Sequence, residues 1–386
     1  MKEIYLDHSA TTRVYPEVAE RMVQIMTENY GNPSSMHGKG LDAEKALKGA
    51  AETLASLLKA ETKELIFTSG GTESDNLAII GLARAYERRG KHLITTSIEH
   101  PAVTNTMKYL ESLGFEVTYL PVDPYGRVRE SDFETAIRED TILASVMFVN
   151  NEIGAVEPVE NLAKILHTKR PEAIFHTDAV QAFGKYRIYP KRMGIDAMSV
   201  SSHKIGGPKG MGLLYVKSGL KLEPISYGGG QQKGLRSGTE NVPGIVGMAM
   251  AASMTCKDME RKNEELYAKR EAFIKVLTSI EGVYVNGAPG REAAPHIVSA
   301  SFAGIDRVEV LLHALEAEGI YVSAGSACAS NHPEISRTLL AIGLAPEFLQ
   351  STLRFSFGYE TTAEELESAA EALKRLLPML RRFQKR

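Results

Sequence analysis

Between residues 65 and 216, short apolar runs alternate with amphipathic stretches, and no other feature constrains the fold as strongly. Leu65 to Thr68, His92 to Thr96, Val117 to Leu120, Leu143 to Val149, Ile174 to His176, Ala197 to Ser199 and Leu213 to Val216 read as strands. Helical periodicity fills most of the gaps between them. Nearly continuous apolar strands separated by helices predict an α/β fold with a mostly parallel, seven-stranded sheet covered on both faces. Ligands of such sheets gather beyond the carboxyl ends of the strands. The polar residues that follow these strands are Thr68 to Thr72, His100, Asn150 and Asn151, Asp178 and Gln181, and Ser201 to Lys204, so one pocket can collect them all.

After Val216 the rhythm stops. A glycine-rich loop, Tyr227 to Gly244, carries Lys233, Arg236, Ser237 and Thr239. A long helix is expected from Val246 to Leu277, interrupted near Cys256, and then a smaller α+β unit with strands at Ile297 to Phe302 and Thr352 to Ser356. Its closing helix is expected from Glu364 to Arg381, with a capping box between Thr361 and Glu364; another box is expected between Ser131 and Glu134. A chain of 386 residues exceeds the size at which one core keeps growing. The expected division is a large domain over 14–255 and a small domain made of 1–13 and 256–386.

Composition removes several classes of function. The net charge of -3, with acids and bases well mixed, gives no footprint for nucleic acid or an anionic membrane. The opening MKEIYLDHSATT lacks a basic segment followed by an apolar one, and no apolar run approaches membrane-spanning length, which predicts a soluble, cytoplasmic protein. Two cysteines without CxxC spacing exclude a disulfide framework or a four-cysteine metal site.

The richest polar stretch is SVSSHKIGGPKG, Ser199 to Gly210, where a strand breaks into hydroxyls, an imidazole and Lys204. Just upstream, FHTDAVQ places Asp178 at the end of another strand. A strand-end lysine and a strand-end carboxylate are what pyridoxal phosphate requires: an amine for the aldehyde and an acid for the protonated ring nitrogen. The turn SGGTES, with Gly71 and Thr72 opening a helix, offers backbone N–H groups to a phosphate. Ser201 and His203 flank Lys204 and suit the same anion. His100 precedes a proline-opened helix, where capping and a ring-stacking or acid–base role are equally open. Arg354 is the one charge in the strand LRFSF and needs an anion, either substrate or structural. Cys328 lies in GSACAS without apolar neighbours and reads as reactive, whereas Cys256 reads as packing or surface. The other histidines, His8, His176 and His296 among them, share no spacing and read as ordinary.

Ten segments in order, DHSATT, YGNPSSMHG, FTSGGTESDNLA, EHPAV, VNNEIG, HTDAVQ, SSHKIGGPKG, RSGTEN, GSACAS and LRFSFG, resemble the cysteine desulfurases of the NifS and IscS kind, pyridoxal phosphate enzymes of the class V aminotransferase family with the type I transferase fold. The resemblance implies that Lys204 is the cofactor lysine, Asp178 its ring-nitrogen acid, His100 the stacking residue and Gln181 the partner of the ring hydroxyl. Gly71, Thr72, Ser201 and His203 would hold the phosphate, together with Thr239 of the second subunit of a homodimer. Asn151 and Arg354 would bind the substrate carboxylate. Cys328 would accept sulfur from L-cysteine, leaving L-alanine, and could ligate a transferred iron–sulfur cluster; no resident metal is implied. An iron–sulfur scaffold or a tRNA-thiolation enzyme would take the sulfur onward, although the short C-terminus puts scaffold docking in question. Selenocysteine lyase and cysteine sulfinate desulfinase share the fold and the lysine.

Overall fold

The computed structural model describes residues 3–324 and 335–384. Its strands, in chain order, are β1 Ile4–Tyr5, β2 Leu65–Thr68, β3 His92–Thr96, β4 Glu116–Leu120, β5 Thr141–Ser145, β6 Ile174–Asp178, β7 Ala197–Ser201, β8 Gly212–Val216, β9 Val283–Asn286, β10 Ile297–Phe302, β11 Ile320–Tyr321 and β12 Thr352–Ser356. Strands β2 to β8 form one sheet in the order β2-β8-β7-β6-β5-β3-β4. From β7 through β4 the pairs are parallel, and β8 runs antiparallel to both β2 and β7. The chain adds β4 on one side of β3, and β5, β6 and β7 on the other. The sheet therefore changes direction between β3 and β5, and a crevice opens there at the carboxyl ends.

Both faces of this sheet are dry. Phe175, Val200 and Leu213 belong to an apolar cluster on one side, and Leu93, Leu143 and Leu214 to another on the opposite side, all six fully buried. Burying a side chain of this size contributes about 1.5–3 kcal/mol, so the sheet is a stiff platform for the loops above it. A third apolar cluster surrounds the antiparallel sheet β12-β10-β9. It joins that sheet to the helices Met259–Thr278, Val308–Glu316 and Ala363–Gln384; Phe273 meets Phe355 and Phe357 edge-on at 5.2 and 5.8 Å. β1 pairs with β11, and Asp7 bridges to Ser356, so the first residues of the chain join this second unit.

Several boundaries differ from the sequence expectation. β5 ends at Ser145 rather than Val149, because the Met147 N–H donates to the buried Glu99 carboxylate at 2.9 Å instead of continuing a regular ladder. The long helix is interrupted near Cys256 as expected, where Asp258 takes a left-handed backbone with φ of 53°, but it starts earlier than expected, the two pieces being Val242–Cys256 and Met259–Thr278. The box expected at Ser131 and Glu134 is absent, since that helix begins at Glu130 without a side-chain cap. The last helix does open on a box, one residue later than expected: Thr362 N–H donates to Glu365 at 3.0 Å and Glu365 N–H to the Thr362 hydroxyl at 3.2 Å.

Candidate active site

A cavity of about 340 Å³ lies at the crevice between β3 and β5. Each neighbouring strand delivers one polar group to it. β6 ends on Asp178, whose Oδ1 accepts the Val180 N–H at 2.9 Å. β7 passes through a single 3-10 turn, Ser202–Lys204, which puts Lys204 beside Asp178 in the same lining. β3 is followed by His100, the N-cap of the helix Pro101–Ser112; its Nδ1 accepts the Ala102 N–H at 3.1 Å. Gln181, one turn past Asp178, donates to the Ser9 carbonyl at 2.9 Å. Lys204 Nζ donates to the Ser9 and Ala10 carbonyls at 2.5 and 2.7 Å. The N-terminal turn thus closes the cavity by offering carbonyls to a cation and an amide.

The opposite wall belongs to the second unit. Arg354 on β12 is 3% exposed, and its guanidinium donates to the Asn151 carbonyl at 2.9 Å and to the Asp7 carboxylate at 2.8 Å. Asp7 and the Asn151 carbonyl offset the cost of burying that charge. Among the described residues its Nε is buried without a hydrogen-bond partner, and the residue lines the cavity. At the other end, Gly71 starts the helix Gly71–Tyr86; a Cβ there would come within 2.8 Å of Val180, so glycine lets the helix N-terminus approach the pocket. Thr72, Ser201 and His203 line the same end.

The electrostatics divide the site. Burial raises the carboxyl of Asp178, with His100 and Lys204 opposing. Burial lowers His100, while Asp178 pulls it back up. His203 is pushed down to about 4 by burial, with Lys204 and Lys209 adding to the effect, so it meets an anion as a neutral hydrogen-bonding group. A protonated heterocyclic nitrogen beside Asp178 would add a counter-charge that favours its ionised form.

Ten of the twelve residues read from the sequence as the site line this one cavity: Gly71, Thr72, His100, Asn151, Asp178, Gln181, Ser201, His203, Lys204 and Arg354. Thr239 is exposed and does not reach it within one chain. Its loop lies against β2 and the helix that follows it. Gln232 exchanges hydrogen bonds with the Phe67 backbone, and Arg236 pairs with Glu73 at 2.8 Å. Cys328 lies outside the described residues. The chain on either side of its segment is anchored at the cavity wall: Ser323 exchanges backbone hydrogen bonds with Arg354, and the Ser336 hydroxyl donates to Glu152, next to Asn151. Cys256 is half-buried, and burial raises its thiol.

Sequence reasoning missed Asp75. This acid lies on the buried face of the helix Gly71–Tyr86, is 1% exposed and lines the cavity. Burial, reinforced by Asp178, raises its carboxyl well above the usual range. His176, 3.8 Å away, is no counter-charge, because burial pushes it down to about 3 and its ring nitrogens face the hydroxyls of Ser145 and Ser199. A carboxyl three residues after Thr72, on the stripe that also carries Leu82, was the available signal.

The class-V aminotransferase family profile matches residues 4–368. The chain belongs to this family, among its cysteine desulfurases of the NifS and IscS type. It is 46% identical over 380 residues to the cysteine desulfurase IscS of Methanosarcina thermophila, covering 98% of this chain and 93% of the relative. It is 43% identical over 372 residues to the putative cysteine desulfurase IscS 1 of Bacillus subtilis, covering 96% and 97%. Among solved structures, a NifS-like protein superposes with a TM-score of 0.92 at 37% identity, covering 98% of this chain and all of that one. SspA in complex with cysteine gives 0.81 at 36% identity, covering 94% and 100%. Family membership brings pyridoxal phosphate as the cofactor, and the residues fit it: a buried acid, a lysine, a histidine and a hydroxyl-lined helix N-terminus share a cavity of suitable size.

Proposed function

We propose that this cavity converts L-cysteine to L-alanine, with the substrate sulfur passing to Cys328 as a persulfide. The observation that carries the reading is the meeting of Lys204 and Asp178, from adjacent parallel strands, in one cavity faced by the buried Arg354. When bound, pyridoxal phosphate supplies an aldehyde that links amines and a protonated ring that accepts electron density. Lys204 would hold the cofactor through its amine and, when free, would serve as the base for the substrate's Cα proton. Asp178 keeps the ring nitrogen protonated, Gln181 faces the ring hydroxyl, and His100 borders the ring. Gly71, Thr72, Ser201 and His203 hold the phosphate. Arg354, with Asn151, takes the substrate carboxylate and fixes which bonds at Cα face Lys204. The Cys328 thiolate then attacks the substrate sulfur; the carbon–sulfur bond breaks, its electron pair returns to carbon, and protonation gives L-alanine. The solved relative carrying cysteine supports that substrate.

The same reading divides the chain into a cofactor-binding domain over 14–255 and a smaller domain of 1–13 and 256–386. It pairs two chains so that Thr239 reaches the partner's phosphate end, as its exposure in one chain allows. It hands the persulfide to an acceptor such as an iron–sulfur scaffold or a tRNA-thiolation enzyme in the cytoplasm. Among the described residues no helix is long and apolar enough to cross a membrane. The test is Lys204→Ala. The variant should lose the visible absorbance of the linked cofactor and fall to background alanine production; retained turnover would remove Lys204 from its role. Mixing Lys204→Ala with Thr239→Glu chains should restore up to about half the activity per hybrid if sites are shared; no recovery after proven subunit exchange would return Thr239 to the surface.

A further inference from the structure

Behind the Ser9 carbonyl lies a second, smaller cavity of about 20 Å³, room for one water or one monatomic ion. Gln181 and Lys204 line both cavities and form the partition between them. His8, Thr12, Arg13 and Glu360 line both the small cavity and an outer cleft of about 640 Å³. The small cavity therefore sits between solvent and the rear of Lys204, at the junction of the two units.

Three of its buried polar residues carry a nitrogen without a hydrogen-bond partner among the described residues. Lys185 is 7% exposed, and its ammonium rests on the face of Tyr359, 4.4 Å from the ring centroid. Among the described residues Lys185 Nζ makes no ion pair and donates no hydrogen bond. His8 and His296, 8% and 3% exposed, line the same space, and among the described residues Nδ1 of each is buried without a hydrogen-bond partner. Among the described residues Glu360 is the one acid in the lining; it lies 3.7 Å from His8 and keeps more than half of its side chain in water. A buried ammonium beside two imidazoles, each with an unpartnered Nδ1, and an acid that is mostly solvated leave positive potential around an ion-sized space.

We propose that this cavity is a small-anion site, built to hold a monovalent ion of chloride size on the Lys185 ammonium. Its wall comes from the N-terminal turn, the turn after β6, the helix Val242–Cys256 and the loops before β10 and after β12, so the ion ties the two units together directly behind Lys204. Nothing in the cysteine chemistry requires it. Only the ammonium form of Lys185 attracts an anion, and burial lowers this lysine to about 8, with Glu360 and Cys256 opposing and Lys262 assisting. The groups facing it are His8, Arg13, Tyr15, Lys204, Cys256, Lys262, His296, Tyr359 and Glu360. Burial keeps His8 and His296 below their ordinary values, so they stay neutral where Lys185 titrates. Anion affinity therefore falls by about tenfold for each pH unit above about 8.

Bromide is the probe. Holoenzyme crystals grown in sodium bromide near neutral pH are measured at the bromine absorption edge, together with Lys185→Met crystals and with wild-type crystals near pH ~10. The expected result is one anomalous peak within hydrogen-bond reach of Lys185 Nζ, absent from the variant and weakened at high pH. In solution, sodium bromide at constant ionic strength should raise the wild-type Tm and leave the variant's unchanged. Water-like density without an anomalous signal at neutral pH overturns the proposal; so does a peak of equal height in Lys185→Met or at both pH values. If the variant does not fold, the wild-type pH series decides alone.

Discussion

In front of the Ser9 carbonyl stand Asp75 and Asp178, with Glu99 buried behind them, three acids whose carboxyls burial pushes upward. Behind it stand Lys185, His8 and His296, three bases that burial pushes downward. The two groups lie on opposite sides of one partition, and the same desolvation acts on both. The difference lies in what each can receive. The front cavity has room for a cationic heterocycle with an anionic tail, and its phosphate end is lined with hydroxyls and a helix N-terminus. The rear cavity has room for one atom. Burial of unpaired charge is costly, so the sign of the buried groups reports the charge that each cavity is built to hold.

Removing the front charge should have the largest consequence. On the proposed assignment, Asp178→Ala leaves Lys204 able to link the cofactor but withdraws the acid that would keep the ring nitrogen protonated. Loss of a buried charge-assisted hydrogen bond, about 3–4 kcal/mol, corresponds to a fall in kcat of about 10²–10³. The bound cofactor's absorbance should titrate differently from the wild type, which a purely structural lesion would not cause. Unaltered titration would mean that Asp178 does not face the ring nitrogen.

The rear charge should show the opposite sign. The folded state holds the Lys185 proton less tightly than the unfolded chain, so protonation favours unfolding. That penalty is fully present below about pH 8 and disappears as pH rises through about 10.5, the ordinary value. Lys185→Met should therefore stabilise the holoenzyme by about 2–3 kcal/mol near neutral pH in halide-free buffer, and by almost nothing above pH ~10.5. Denaturant unfolding at several pH values measures this. A destabilised variant at neutral pH would mean that the ammonium has a counter-charge in the resting protein.

How much of this was legible from the chain depends on where each residue gets its meaning. Lys204, Asp178, His100 and Arg354 stood out because each is a polar group at the end of, or inside, an apolar strand, and the sheet rule gathers strand ends. The seven-stranded sheet followed from the same alternation and the smaller unit from its end after Val216, whereas the type I fold was implied by the resemblance of the ten segments. His8, His296 and Lys185 did not stand out. They come from a turn, a loop before β10 and a turn after β6, segments without a common period, and only tertiary packing brings them together. Asp75 was hidden for another reason: an acid on an otherwise soluble-looking helix reads as surface until the helix face is known. The capping boxes slipped because Ser/Thr-x-x-Glu recurs by chance, and only the backbone geometry distinguishes a cap from a surface pair.

Asp75 offers a finer test of the front cavity. If burial keeps it uncharged, Asp75→Asn preserves size and polarity and should change cofactor affinity by less than about threefold. Asp75→Ala leaves a cavity and should cost about 1–3 kcal/mol of stability. Equal, large losses of cofactor affinity in both variants would show that the ionised form is the one that matters. Smallest of all should be Arg236→Ala, which breaks the partly exposed pair with Glu73. Pairs of this kind are worth about 0–1 kcal/mol. A loss larger than about 2 kcal/mol in thermal unfolding would mark this loop as part of an interface rather than a covering.

The central claim is that Lys204 and Asp178 release sulfur from cysteine and that Cys328 receives it. Peptide mass mapping of the holoenzyme after a brief exposure to L-cysteine, quenched with a thiol-blocking reagent, measures this directly. The account predicts one added sulfur atom on the peptide containing Cys328, none on the peptide containing Cys256, and none on either in Lys204→Ala. Sulfur on Cys256, or on Cys328 in the absence of Lys204, would contradict it.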